Sequence, residues 1–385
     1  MYLFYIIALL PAIIGCLLFI FNKKISWKEW VGGTIIAFLT SAIIHGIAFY
    51  GVTADQETWS GKIIKVAHFP QWREEYRQRH TQIYYTGSGK NRRSHTRVWY
   101  TTEHATHPEH WVAYANYGEY SENKNIGLPL FNEIKSNFGG KIENGGKQSC
   151  SHGGHFDGGD NNIYATHNVT GYIYPVTCKK YFENRIKAAP SVFSFVKVPS
   201  DAPVYPWPEN PDWMHSGRLI GVNGIDLRKF DIMNSNLGPT KKINLIMIGF
   251  NSPDSMLGQL QEAAWIGGRK NDLVLCYGYE GTNVLWSSVF GWSEKEICKR
   301  NLETLILNNP INNEILPLIS KEIVENYTKK EWKKFSYISI DPPRWSYITL
   351  FIVMFITQGL FWIWAHVNEF TKEGFRDALS KGLKS

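Results

Sequence analysis

Imidazoles and carboxylates gather in two stretches of this 385-residue chain. His104, His107 and His110 recur at every third residue, while His152, His155, Asp157, Asp160 and His167 crowd a glycine-rich segment. Such nitrogen and oxygen donors suit zinc, and a glycine-rich loop has the freedom to wrap them round one ion. A three-residue step keeps side chains on one face only in a helix, however, and Pro108 between His107 and His110 favours a turn. A solvated polar loop therefore competes with a metal site. Cys150, beside His152, would add a thiolate if it stayed reduced.

Cys16 lies in an apolar run, and Cys150, Cys178, Cys276 and Cys298 lie in the long polar segment. An even number permits two disulfides in an oxidising compartment, with Cys150–Cys178 and Cys276–Cys298 the pairings nearest in sequence and four free thiols the alternative. For catalysis the chain is uninformative. No Gly-x-Ser-x-Gly, Walker loop, His-Glu-x-x-His or dinucleotide glycine fingerprint is present, so a standard enzyme is not expected.

The elements that must position these groups begin in the membrane. Residues 2–21, 31–51 and 347–367 are apolar runs without Asp, Glu, Lys or Arg, each long enough to cross a hydrocarbon core of about 30 Å. Trp27, Trp30, Tyr50, Trp345, Tyr347, Trp362 and Trp364 cluster at their ends like an interfacial belt. Three spans put the loop 22–30 and the tail 368–385 on one side of the lipid bilayer. Lys23, Lys24 and Lys28 in the loop, with Lys372, Arg376, Lys381 and Lys384 in the tail, assign that side to the cytoplasm and the large segment to the opposite side. Lys329, Lys330, Lys333, Lys334 and Arg344 argue the other way. Two polar side chains fall inside the runs, His45 and Gln358. Hydrocarbon does not tolerate them unpaired, which predicts helix–helix hydrogen bonds ahead of a proton path.

The predicted fold class is α+β. Two transmembrane helices (1–51) precede a β-rich part (52–198), a Pro-rich connector (199–211), an α/β sandwich (212–345), a third span (346–367) and a basic tail (368–385). The β-rich part shows aromatic and β-branched alternation, as in 96–101 and 110–115, with helices expected at 128–138 and 180–189. In the sandwich, 243–250, 272–279 and 284–290 read as strands. Ser252-Pro253-Asp254 and the box Ser293 to Glu296 read as helix starts, and 313–335 as a further helix. The order suggests a sheet with helices on one side.

The net charge of +7 leaves about +4 for the large segment, too diffuse for a nucleic-acid footprint, so no nucleic-acid partner is expected. Lys90-Asn91-Arg92-Arg93 reads as a solvated hairpin tip. Fifteen Trp and twenty Tyr exceed what a small core uses and point to a protein interface, either a homo-oligomer or an envelope protein of the host cell.

Residues 110–111 with 116–120, 181–188 with 191–193, and 262–272 (Glu-Ala-Ala-Trp-Ile-Gly-Gly-Arg-Lys-Asn-Asp) together resemble a family of membrane proteins encoded by tailed bacteriophages. The resemblance implies expression in an infected bacterium and a place in its inner membrane, and it implies no reaction. The C-terminal part is similar to TPM-type domains in element order and in Gly278-Tyr279-Glu280-Gly281. That likeness implies a membrane-tethered role, with calcium binding or phosphatase activity in some members, and carries over no site residue. The expected function is accordingly binding or assembly at the inner membrane, through envelope modification or exclusion of a second infection. The alternatives are a metal-dependent envelope hydrolase using the histidine loops and a self-assembling ring or channel.

Overall fold

The computed structural model describes residues 2–21, 27–88, 92–137, 142–149, 155–156, 163–169, 172–209, 213–214 and 217–368. Helix α1 (Tyr2–Phe21) and helix α2 (Trp27–Thr53) open the chain. Strands β1 (Ala54–Phe69), β2 (Trp72–Thr86), β3 (Arg93–His107), β4 (His110–Asn116) and β5 (Ser121–Ile126) follow. After helix α3 (Leu128–Ser136) come β6 (Ile142–Lys147), β7 (His155–Phe156), β8 (Ile163–Asn168), β9 (Pro175–Glu183) and the short helix α4 (Arg185–Ala188). The remainder is β10 (Leu219–Ile220), α5 (Leu227–Lys241), β11 (Asn244–Phe250), α6 (Met256–Ala264), β12 (Asp272–Glu280), β13 (Asn283–Gly291), α7 (Glu296–Asn308), α8 (Ile315–Asn326) and α9 (Arg344–Asn368). The fold is mixed α and β.

By length and composition, α2 and residues 344–365 of α9 are apolar enough to cross a membrane. Small residues let these helices approach: Ala37 and Ala48 of α2 are fully buried, and Gly33 lies under Phe361 and Trp362 of α9. His45 and Gln358 each bond across helices, His45 Nδ1 to the Tyr5 hydroxyl at 3.2 Å and Gln358 Nε2 to the Gly33 carbonyl at 3.0 Å.

Helix α2 passes into β1 with no intervening residue, and β1 is the spine of the first sheet. Its first half pairs antiparallel with β9, from Ala54↔Glu183 to Lys62↔Pro175. Its second half pairs with β4 on one side and β8 on the other. The strand expected to give way to helix at 180–189 instead continues to Glu183, because β1 offers a full ladder of backbone partners that local propensity cannot match. Only Arg185–Ala188 turns helical, capped by the Asn184 side chain accepting from the Lys187 N–H at 3.0 Å.

The second sheet has the order β10-β11-β12-β13, the first three strands parallel and the last antiparallel. One face packs Leu245, Met247, Leu273 and Leu275 against α5, α7 and α8. The other packs Ile246, Ile248, Val274 and Cys276 against Leu257 of α6 and Tyr205 of the connector. Helices therefore flank both faces rather than one, which is why β11 is buried at every residue. Two expected caps also move. Asp254 accepts from the Met256 N–H and α6 starts there, while the Ser293 hydroxyl serves the Lys295 N–H, so no Ser293–Glu296 box forms. The helix expected over 313–335 stops at Asn326, and a separate 3-10 turn covers Trp332–Phe335.

Candidate functional site

Three consecutive residues after α6 reach across to four consecutive residues at the start of β1. The turn that aims them has Ile266, Gly267 and Gly268 all at positive φ (53°, 76° and 84°), a run that glycine makes accessible. Arg269 lies 3.5 Å from Asp55 Oδ1 and donates to the Gln56 carbonyl at 3.4 Å. Lys270 Nζ is 3.1 Å from Glu57 Oε1, and Asn271 donates to the Thr58 carbonyl at 2.6 Å. Lys329 closes on the other Glu57 oxygen at 2.8 Å.

Behind this clasp, Asp272 is fully buried and accepts from Asn244 Nδ2 (2.7 Å), Trp207 Nε1 (3.0 Å) and the Arg269 N–H (2.9 Å). Arg218 is the largest fully buried side chain, and it bridges the two sheets. Its guanidinium donates to Ser60 Oγ on β1, Thr177 Oγ1 on β9 and Asn244 Oδ1 on β11. Burial draws its pKa down to about 10, and the opposing charges of Asp231 and Asp272 limit the fall, so it stays cationic at neutral pH. Glu57 is pushed up by burial but pulled down further by Lys329 and Lys270, and ends below the usual carboxylate range. Burial alone decides for Asp272, which is raised despite its hydrogen bonds.

A cleft of about 490 Å³ opens beside the clasp, lined by Asp55, Asn184, Lys187, Trp207, Trp265 and Arg269, with the Arg269 guanidinium stacked 3.4 Å over the Trp207 ring. Its polar groups already have protein partners: Asn184 donates to Asp55 at 2.7 Å, and Lys187 reaches the Ala54 carbonyl at 3.4 Å. The arrangement joins the start of β1 in the first sheet to the turn that leads into β12 of the second. No nucleophile and base face each other in it. The Gly-Gly-Arg-Lys-Asn-Asp turn before a strand is the local signal for this brace, and its partners on β1 lie beyond any short-range pattern.

Among the described residues, the histidines predicted as metal ligands do not converge. His104 and His107 lie on one strand an odd step apart, so period-two geometry sends them to opposite faces of β3. His104 approaches Glu75 at 3.4 Å; His107 stacks on Trp72 with centroids 4.6 Å apart and meets Glu74 at 2.8 Å. His110 stacks on Phe69 and donates from Nδ1 to the Pro108 carbonyl at 3.1 Å. His107 and His110 line a cleft of about 480 Å³ with Phe69, Lys147 and Tyr164. His167 on β8 is buried against Phe131, and that burial lowers its pKa. His155 pairs by backbone with Tyr76. Among the described residues no three His, Cys, Asp or Glu side chains are grouped to hold a metal ion. His152, Asp157, Asp160 and Cys150 lie outside the described residues.

The expected disulfides are corrected in the same way. Cys178, Cys276 and Cys298 are free and buried. Cys276 packs on the α6 face of the second sheet and Cys298 on the opposite face, so a layer of sheet separates them. Cys178 packs beneath Trp59, its thiol directed to the Trp59 carbonyl at 3.5 Å. Burial pushes the Cys178 thiol up to about 12 and that of Cys298 to about 11, which makes both inert at neutral pH.

No family model matches the chain, and neither a curated protein nor a solved structure is detectably similar to it.

Proposed function

We propose that the chain is a membrane-anchored binding or assembly protein that holds a large braced domain at a bilayer. Three spans carry it: α1, α2 and α9, with the domain on one side and both 22–30 and 368–385 on the other. The observation that carries the reading is the unbroken passage of α2 into β1, locked at once by the Arg269-Lys270-Asn271 clasp. A helix joined this way transmits its orientation to the sheet, whereas a flexible linker would not. Helix α1 supports the anchor, since Trp30 Nε1 donates to the Ala12 carbonyl at 2.9 Å and Ile7 packs with Ala37, Ile44, Leu350 and Met354. A juxtamembrane cluster of Phe49, Val52, Ile186, Phe335 and Ile338 ties the segment that precedes α9 to the end of α2.

Orientation now rests on the basic loop and tail, because the buried thiols no longer speak for an oxidising side. Lys329 and Lys334 have structural partners in Glu57 and Glu294, which gives their presence near α9 a reason of its own. On this reading the protein sits in a bacterial inner membrane with its domain extracytoplasmic, and the phage resemblance makes an infected cell its setting. It acts on the host envelope through an envelope protein or a second copy of itself. Alkaline phosphatase fusions at residue 200 and at the C-terminus test the anchoring. Activity at residue 200 and none at the C-terminus is expected; activity at both, or recovery in the soluble fraction, overturns it.

A further inference from the structure

Strands β2 and β3 pair over fifteen residues, from Trp72↔His107 to Thr86↔Arg93. The ladder continues the register of β1 and β4, whose last pair is Phe69↔His110, across a break marked by Pro70 and Pro108. At about 3.3 Å per residue the ribbon is some 50 Å long, and its tip lies at the opposite end of the ladder from α2. Beyond Tyr76 no third strand joins it among the described residues. From Arg77 to Thr86 and from Arg93 to Tyr100 every residue is exposed except the partly buried His80. A two-stranded ribbon is marginal on its own, and this one is held by cross-strand stacks of His80 on Trp99 (5.2 Å) and Tyr84 on His95 (5.3 Å).

Pairing also unites charges that are scattered in the linear sequence. Arg77, Arg79, Arg92, Arg93 and Arg97 share this segment, and no Asp or Glu lies between Tyr76 and Thr102. Among the described residues Arg79, Arg93 and Arg97 make no ion pair. Strand period puts Arg93, Arg97, Tyr84 and Trp99 on one face and Arg77, Arg79, Tyr85 and Tyr100 on the other. The second face also leaves Ile83 60% and Val98 40% exposed.

We propose that this ribbon is an arm that docks into the groove of a nucleic-acid duplex. The arm is cationic and aromatic on both faces. A groove flanked by two phosphate rows engages both faces at once, and the major groove of B-form DNA, about 12 Å wide, admits a two-stranded ribbon. A bilayer surface would engage one face and leave the other's arginines unused, and a second copy would meet like charge. Five arginines at phosphates supply the affinity. The inference goes beyond the anchoring reading and holds whichever side of the membrane the domain faces.

The test uses the full chain in zwitterionic nanodiscs and a fluorescent 30-base-pair duplex, read by anisotropy. Affinity should fall about 500-fold between 50 and 200 mM salt, the slope expected for roughly five phosphate contacts. R77Q/R79Q and R93Q/R97Q should each weaken binding about tenfold or more and flatten that slope by nearly 2, and K321Q, a charge removed elsewhere, should change nothing. Unchanged circular dichroism in each variant confirms that folding is intact. Absent binding at 50 mM salt, or equal loss in K321Q, overturns the proposal. So does arm-dependent capture by phosphatidylglycerol vesicles that excludes the duplex.

Discussion

Strands β11 and β2 are both rich in residues that favour extended backbone, yet they live in opposite surroundings. All seven residues of β11 are buried, whereas β2, twice as long, buries only Trp72 and Glu74. The difference is the number of layers. An unbroken apolar run such as residues 245–250 demands cover on both faces and receives it from α5 and α8 on one side and α6 on the other. In β2, Arg, Gln and Thr are mixed with aromatics, and neither face is apolar enough to recruit a helix. Each aliphatic side chain buried in the second sheet contributes about 1.5–3 kcal/mol, and the exposed ones of the ribbon contribute little. Stability therefore resides in the second sheet and its clasp to β1, and accessible chemistry resides in the arm.

That contrast is breakable. Arg218→Met would leave Ser60, Asn244 and the buried charge of Asp272 without their guanidinium, and should cost about 3–5 kcal/mol in denaturant unfolding of the solubilised chain. Arg79→Met on the ribbon should cost under about 0.5 kcal/mol; comparable losses would mean that the arm is part of the core. Leu275→Ala should lose about 2–5 kcal/mol by opening a cavity at a fully buried position, against well under 1 for Ile83→Ala, as thermal midpoints would show.

Acid pH weakens the clasp. Because the folded pKa of Glu57 lies below its ordinary 4.5, its contribution is present above that pH and disappears as pH falls through the folded value. Glu57→Gln should thus be destabilised at pH 7 and approach the parent chain below pH 4.5. Glu262 has the opposite sign. Burial raises it, so Glu262→Gln should be more stable at neutral pH, with the advantage closing as pH falls through the raised value. An urea midpoint series across pH would read both. A small effect belongs to the anchor, where Gln358→Leu should lose about 0.6 kcal/mol of helix–helix association in a detergent titration.

Much was legible from local pattern. The apolar runs became helices, 243–250 and 272–279 became β11 and β12 to within a residue, and Leu128 did open a helix. The errors arose where a distant partner outweighed local preference. Residues 180–183 joined β9 because β1 stood beside them, and His104 and His107 parted because a strand, not a helix, carried them. The candidate brace escaped notice because each member of it, Asp55, Glu57, Arg218, Arg269 or Lys270, is unremarkable alone.

What the sequence determined by itself is whatever depends on near neighbours: helix length, strand alternation, the turn at Gly267-Gly268. Only the tertiary structure decided that Arg269-Lys270-Asn271 would meet Asp55 to Thr58, more than two hundred residues away, and that scattered arginines would share one ribbon. The reason is physical. Hydrogen-bond and charge partners are selected by proximity after folding, and the chain's order does not encode that proximity in any short-range pattern.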